Sequence, residues 1–268
     1  MRQQSLHPHC ALHQRLETLY ARFNRPEHID PDPLAVALEH PAPADLEVAG
    51  LVAASLAFGG VRQIMSSVRA ALAPFPHPAR DLAASPPARI RRNCSGFRHR
   101  YAGGEALAGL LLGIRAVLRG HGSLEAAFLD GMRPDDGDST AALAHFMKLL
   151  RAGSGTEKNY LLPVPELGSA CKRMHLYLRW MARRDAVDPG PWRGVPPSLL
   201  VMPVDLHIHR IALALGFTRR RQADLKTALE ITGMFRRMVP EDPVRYDFCL
   251  TRAGMAGLDL GELRMPGD

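Results

Sequence analysis

Met202-Pro203-Val204-Asp205-Leu206-His207-Ile208-His209-Arg210-Ile211-Ala212-Leu213-Ala214-Leu215-Gly216 carries a start signal, a periodic interior and a stop signal for one helix. Asp205 stands where a side-chain carboxylate accepts the free amides of a first turn. Ile208, Ile211, Ala212 and Leu215 recur at i, i+3, i+4 and i+7 and make one apolar stripe. Gly216 falls where a helix is commonly ended by a left-handed residue. The expected helix covers 206–215.

The same punctuation recurs along the chain. Helices are expected at 12–23, at 46–58 behind Asp45 as cap, and at 61–72 after a break at Gly59-Gly60. Further helices are expected at 105–119 closed by Gly120, at 124–129 capped by Ser123 with Glu125 close to the capping-box position, and at 140–150. The last three are expected at 169–184, 222–238 and 243–254, the final one behind Asp242. Proline- and glycine-rich stretches at 24–43, 74–87, 153–168 and 188–197, and the acidic run 134–139, read as loops and connectors. No segment alternates apolar and polar residues convincingly, and there is no internal repeat. The fold class is therefore all-α, with ten or more helices. A chain of 268 residues is long enough for one large domain or two small lobes around a real core.

Composition excludes several classes. Apolar residues make up 46% and charged residues 23%, which rules out low-hydrophobicity disorder over most of the length. No run approaches the roughly 18 uncharged apolar residues of a membrane span; the best, 102–117, contains Glu105 and Arg115. The stretch 1–8 has no apolar core of a signal peptide, so export is not expected and a cytoplasmic protein is. Cys10, Cys94, Cys171 and Cys249 are far apart, and without a CxxC pair a zinc ribbon or clustered iron–sulfur site has no local support; reduced thiols are expected.

Charge points to a partner. The chain has 34 Lys and Arg against 27 Asp and Glu, a net +7. Between Lys172 and Arg221 ten basic residues face three acids, so this stretch alone carries a net charge equal to that of the whole chain. Nine of the ten are Arg, whose planar fork suits phosphate. Such a field is the footprint of a polyanion binder; a solvated helix face is the plainer alternative.

The Asp205 stretch resembles the V-D-T-H-hydrophobic-x-R…L-G segment of the helix–hairpin–helix base-excision DNA glycosylases, in which the Asp is the catalytic carboxylate. Leu161-Leu162-Pro163-Val164-Pro165-Glu166-Leu167-Gly168-Ser169-Ala170-Cys171-Lys172 resembles, more loosely, the hairpin that delivers the catalytic Lys of bifunctional members. Over about residues 12–255 the chain is more closely similar to an uncharacterised bacterial family distantly related to those enzymes. The matching pieces are Lys172-Arg173-Met174 with Leu178-Arg179-Trp180-Met181, then Pro203-Val204-Asp205, then Asp242 to Phe248. Three features depart from the characterised enzymes. Leu206 replaces the usual Thr, the hairpin lacks a G-x-G, and the C-terminal cluster cysteines of the endonuclease III branch are missing. The interval of 33 residues from Lys172 to Asp205 is similar to that of the archaeal 8-oxoguanine glycosylase branch.

The resemblance implies one two-lobed helical domain over 1–268, with a hairpin-like element at about 155–184 and a catalytic helix at 205–216. It implies a monomer acting on double-stranded DNA with a damaged base, an oxidised purine being favoured by the spacing, with no cofactor and no metal. Lys172 is the expected nucleophile and Asp205 the carboxylate beside C1′. Arg62, Gln63, Arg173, Arg179, Arg210, Arg219, Arg220 and Arg221 are the expected DNA contacts, and Phe58 and Trp180 the expected base-pocket residues. Two alternatives remain open: a catalytically inactive DNA-binding module of the same fold, and a metal-dependent hydrolase. The second takes Asp205, His207 and His209 as a D-x-H-x-H strand that places both imidazoles on one face.

Overall fold

Many helices in this protein start at a proline or at a side-chain acceptor, and several stop where a glycine turns left-handed. The computed structural model describes residues 8–156 and 159–258. Thirteen α-helices are found among them: α1 Pro8–Phe23, α2 Pro33–Ala37, α3 Pro43–Ser55, α4 Val61–Leu72, α5 Pro78–Ala84, α6 Pro87–Cys94, α7 Gly104–His121, α8 Leu124–Leu129, α9 Thr140–Ser154, α10 Lys172–Ala182, α11 Leu206–Ala214, α12 Leu225–Met238 and α13 Asp247–Met255. The only strands among the described residues are β1 Arg98–His99 and β2 Ala102–Gly103, an antiparallel hairpin too short for alternation to register. None of these helices is long and apolar enough to cross a membrane. The N-terminal segment 1–7 and the Cys10 side chain lie outside the described residues. Cys94 and Cys249 are buried thiols, pushed up by burial to about 11 and about 12.

Several expected boundaries shift, each for a physical reason. Residues 74–87 are not a plain connector: they contain α5, and α6 starts at Pro87. Pro78 and Pro87 are the first residues of these helices, where no amide hydrogen is required. Asp45 is inside the first turn of α3 and does not cap it; its carboxylate accepts the amide of Ala79 at the start of α5. Gly120 lies within α7, and Gly122, at φ +83°, ends that helix. Asp242 does not cap the last helix, because its carboxylate is taken by Arg183; α13 starts at Asp247. Ser123 does cap α8, its hydroxyl accepting the Ala126 amide.

Buried apolar side chains gather into two clusters. The larger draws on α2 to α10 and surrounds α3, which is buried from Leu46 to Ser55. In it α7 and α9 cross closely at Gly113, where a Cβ would lie 2.3 Å from the Leu150 carbonyl oxygen. The smaller draws on α1, α11, α12 and α13, and joins Leu12 and Leu16 to Ile211, Ile231, Tyr246 and Leu250. The first helix thus packs beside the last.

A layer of buried charge ties the two clusters together. Arg179 of α10 pairs with Asp247 of α13 and with Asp188. Arg183 pairs with Asp185 at 2.5 Å and with Asp188 and Asp242 at 2.7 Å. Tyr20 of α1 donates to Asp185, and Arg252 of α13 reaches Asp32 ahead of α2 at 2.5 Å. Ion pairs hidden this well hold their geometry because separating either partner strands a charge away from water.

Two buried titratable groups act oppositely on stability. His175 of α10 is buried, and neither ring nitrogen has a hydrogen-bond partner among the described residues. Burial pushes it down from 6.5 to about 4. The unfolded chain therefore binds the proton first, so its contribution is complete above about 6.5 and is lost as pH falls toward 4. Glu47, raised by burial from 4.5 to about 7, accepts the Leu124 amide and adds stability as pH falls from 7 toward 4.5. The wild-type curve is a composite, so comparison with His175→Leu isolates the histidine. Between pH 7 and pH 4.5 the wild type should lose about 2 kcal/mol relative to that variant in urea unfolding. An unchanged difference between the two proteins would refute the assignment.

Candidate active site

Lys172 is the first residue of α10, and Asp205 caps α11. The chain reaches Lys172 through a 3-10 turn, Pro165–Leu167, closed by Gly168 at φ +80°. Ser169 pairs with Asp224, and the Leu225 amide donates to the Gly168 carbonyl, which moors this segment to the start of α12. Cys171, buried and left-handed at φ +43°, turns the backbone into the helix. The expected hairpin-like element is thus a short turn feeding a helix that opens at residue 172 rather than 169.

The two expected reactive groups meet. Lys172 Nζ donates to Asp205 Oδ2 at 2.9 Å. The other carboxylate oxygen, Oδ1, accepts the His207 amide at 2.9 Å and the Ile208 amide at 2.8 Å. One oxygen fixes the helix start while the other holds the amine. Burial pushes the Asp205 carboxyl up, but the Lys172 ammonium and the two amides outweigh it and hold it below the ordinary carboxylate range. The lysine side chain is 40% exposed and the aspartate 27%, so the pair is half-buried and open to a ligand.

Lys172 lies where two cavities adjoin. One, of about 310 Å³, is lined by Asp32, Phe58, Lys172, Arg179, Asp205 and Asp247 among others. The other, of about 570 Å³, runs along Gly168–Arg173 to Val204 and Asp224 and again meets Phe58. The smaller has the size of a ligand-sized pocket and a polar floor of acids and bases in near balance. Burial raises the Asp247 and Asp32 carboxyls above their ordinary values against the pull of Arg179 and Arg252. A third cavity, about 450 Å³, lies away from Lys172 between Glu17, Arg184 and Arg245.

Of the remaining expected site residues, Arg62 and Gln63 are exposed in the first turn of α4, directly after the Phe58–Gly60 loop. Arg210, Arg219 and Arg221 are exposed as well. Arg220 is held by Asp224 at 2.6 Å and by Thr227. Arg173 is turned inward: it donates to the Ser55 and Tyr160 carbonyls and lies over the Phe58 ring. Two assignments are corrected. Arg179 is buried in the ion-pair layer and cannot reach a phosphate. Trp180 is fully buried in the larger core and cannot stack on a base. Both fail because α10, half-open at Lys172 and Arg173, is buried on every side from Tyr177 to Ala182.

The strand that a metal hydrolase would need is a helix, α11. His207 and His209 diverge on it, and their Nε2 atoms lie against different carbonyls, Leu250 and Arg220. Among the described residues no three His, Cys, Asp or Glu side chains are grouped to hold a metal ion.

A family model described as a protein of unknown function matches residues 32–256, a span that contains every candidate site residue. The chain belongs to the DUF2400 family. No curated protein and no solved structure matches it. Helix α1 precedes the matched DUF2400 region, yet supplies part of the smaller core. Within that region, Asp32, Tyr101 and Tyr160 border the site without having been singled out in the sequence, and Asp247, part of a matching piece but given no role there, lines the smaller cavity. Asp32 had a readable signal, since a residue ahead of Pro33 that accepts the Leu34 amide is a helix cap. Tyr101 and Tyr160 had none, because nothing local places them against Phe58.

Proposed function

We propose that this protein excises a damaged base from DNA and cleaves the strand at the resulting site. The observation that carries this reading is the Lys172–Asp205 pair at 2.9 Å, set at the junction of two open cavities on a basic protein. Lys172, once deprotonated, attacks C1′ of the sugar; the C1′–base bond breaks and the base leaves with the electron pair and takes up a proton. In this reading the anionic Asp205, paired with Lys172, stabilises the positive charge that develops on the sugar. The nitrogen now bound to C1′ loses a proton, its lone pair breaks the C1′–O4′ bond, and O4′ takes up a proton, which opens the ring and leaves a Schiff base. Removal of a C2′ proton then expels the 3′ phosphate. An oxidised purine remains the favoured lesion.

Borohydride trapping on a panel of lesion duplexes tests this. A covalent adduct with at least one lesion is expected, and tight DNA binding with no adduct on any lesion would replace this reading with that of an inactive binding module. The exposed Arg219 and Arg221 are assigned to phosphate contacts. Replacing both with Ala should lower the slope of log affinity against log salt by about 2. An unchanged slope removes them from the interface.

A further inference from the structure

A second basic field lies outside the 172–221 stretch. From Leu82 to Gly104 there is no acidic residue, while Arg89, Arg91, Arg92, Arg98 and Arg100 are all exposed. The last two belong to the β1–β2 hairpin and its tip, where Arg100 takes a left-handed φ of +52°. The next residue, Tyr101, is 64% exposed, an unusual position for a large aromatic ring. One face of it is covered: it stacks on Phe58 at 4.9 Å with 20° between planes, and Tyr160 lies 4.7 Å away. Phe58 lines both cavities beside Lys172, so this aromatic group borders the candidate site directly.

The hairpin is anchored rather than loose. His99 is fully buried; its Nε2 donates to the Phe58 carbonyl, which leaves Nδ1 to accept from the Ser67 hydroxyl on α4. Arg100 lies over Gly59, where a Cβ would come within 2.8 Å of its side chain. Arg173 sits over the Phe58 ring at 5.3 Å and donates to the Tyr160 carbonyl. These contacts hold the hairpin against Phe58, while Tyr101, Arg98 and Arg100 stay exposed.

We infer that this hairpin tip is a DNA contact that receives an unpaired base: Tyr101, backed by Phe58 and Tyr160, stacks on it, and Arg98 and Arg100 contact the flanking phosphates. Rigid aromatic faces beside arginines are the arrangement that holds unstacked bases with little regard to sequence. This inference rests on the reading that the protein acts on damaged bases in duplex DNA, and it names the groups that hold the distorted strand there.

The test uses the full chain and two duplexes, one fully paired and one with 2-aminopurine opposite a tetrahydrofuran abasic analogue. Binding is read by anisotropy and base environment by 2-aminopurine emission. Tyr101→Ala should weaken binding to the abasic duplex about 10-fold and abolish the emission change, with less than 2-fold effect on the paired duplex. Tyr101→Trp should restore both. Arg98→Ala with Arg100→Ala should weaken binding to both duplexes. Equal binding and emission by wild type and Tyr101→Ala overturns the platform and leaves the Lys172 chemistry standing. Tyr101-dependent binding without any borohydride adduct supports the platform and overturns the chemistry, and wild-type protein that binds neither duplex overturns both.

Discussion

Lys172→Arg should abolish borohydride-trapped adduct and reduce strand scission at least about 1,000-fold, while DNA affinity changes little. Arginine is the decisive replacement. It keeps the positive charge beside Asp205, but its guanidinium stays protonated and is no nucleophile. A lysine that served only as counter-ion to the cap of α11 would be replaced without loss. Lys172→Ala should be equally inactive and remain folded, since the side chain is 40% exposed and Asp205 retains the His207 and Ile208 amides. Single-turnover scission assays alongside unfolding curves measure both effects. Scission by Lys172→Arg within 10-fold of wild type would remove Lys172 from the nucleophile role.

Asp188→Ala should destabilise the fold by about 3–5 kcal/mol. Asp188 is fully buried and accepts from Arg183 at 2.7 Å and from Arg179 at 3.2 Å, so its removal leaves two hidden guanidiniums short of a partner at once. The contrast is Arg69→Ala. Its pair with Glu39 at 2.6 Å is just as short, but both partners are about half exposed, and the loss should be under about 1 kcal/mol. Urea unfolding of the two variants under one condition decides the matter. A loss below 1 kcal/mol for Asp188→Ala would mean that the charge layer does not hold the clusters together. Because the layer joins α10 to α13, the same variant should also loosen the Lys172–Asp205 pair.

Local signals were the readable ones. The cap at Asp205, the cap at Ser123 and the helix over 61–72 are written in neighbouring residues, and they fold as written. The meeting of Lys172 with Asp205 is not local; physics alone says nothing about two side chains 33 residues apart, and it was legible only through the resemblance. Arg179 and Trp180 show how helix periodicity fails at the centre of a protein. A surface helix separates a wet stripe from a dry one, but α10 is buried from Tyr177 to Ala182, and the charge of Arg179 is balanced by Asp247, 68 residues away. The prolines of 74–87 failed for the opposite reason: the same residue that breaks a helix interior opens a first turn, and the sequence does not say which.

The pairing of α1 with α13 bears on how the molecule comes into being. Glu17 accepts the Tyr246 hydroxyl across 229 residues. At about 5–20 residues per second, the leading helix spends roughly ten to fifty seconds outside the ribosome before its partner is made. Its leucines must be shielded for that time by something else, a chaperone or a makeshift contact. The smaller core, and with it the helix that Asp205 caps, therefore closes only after the 229 residues that follow Glu17, up to Tyr246, have been made.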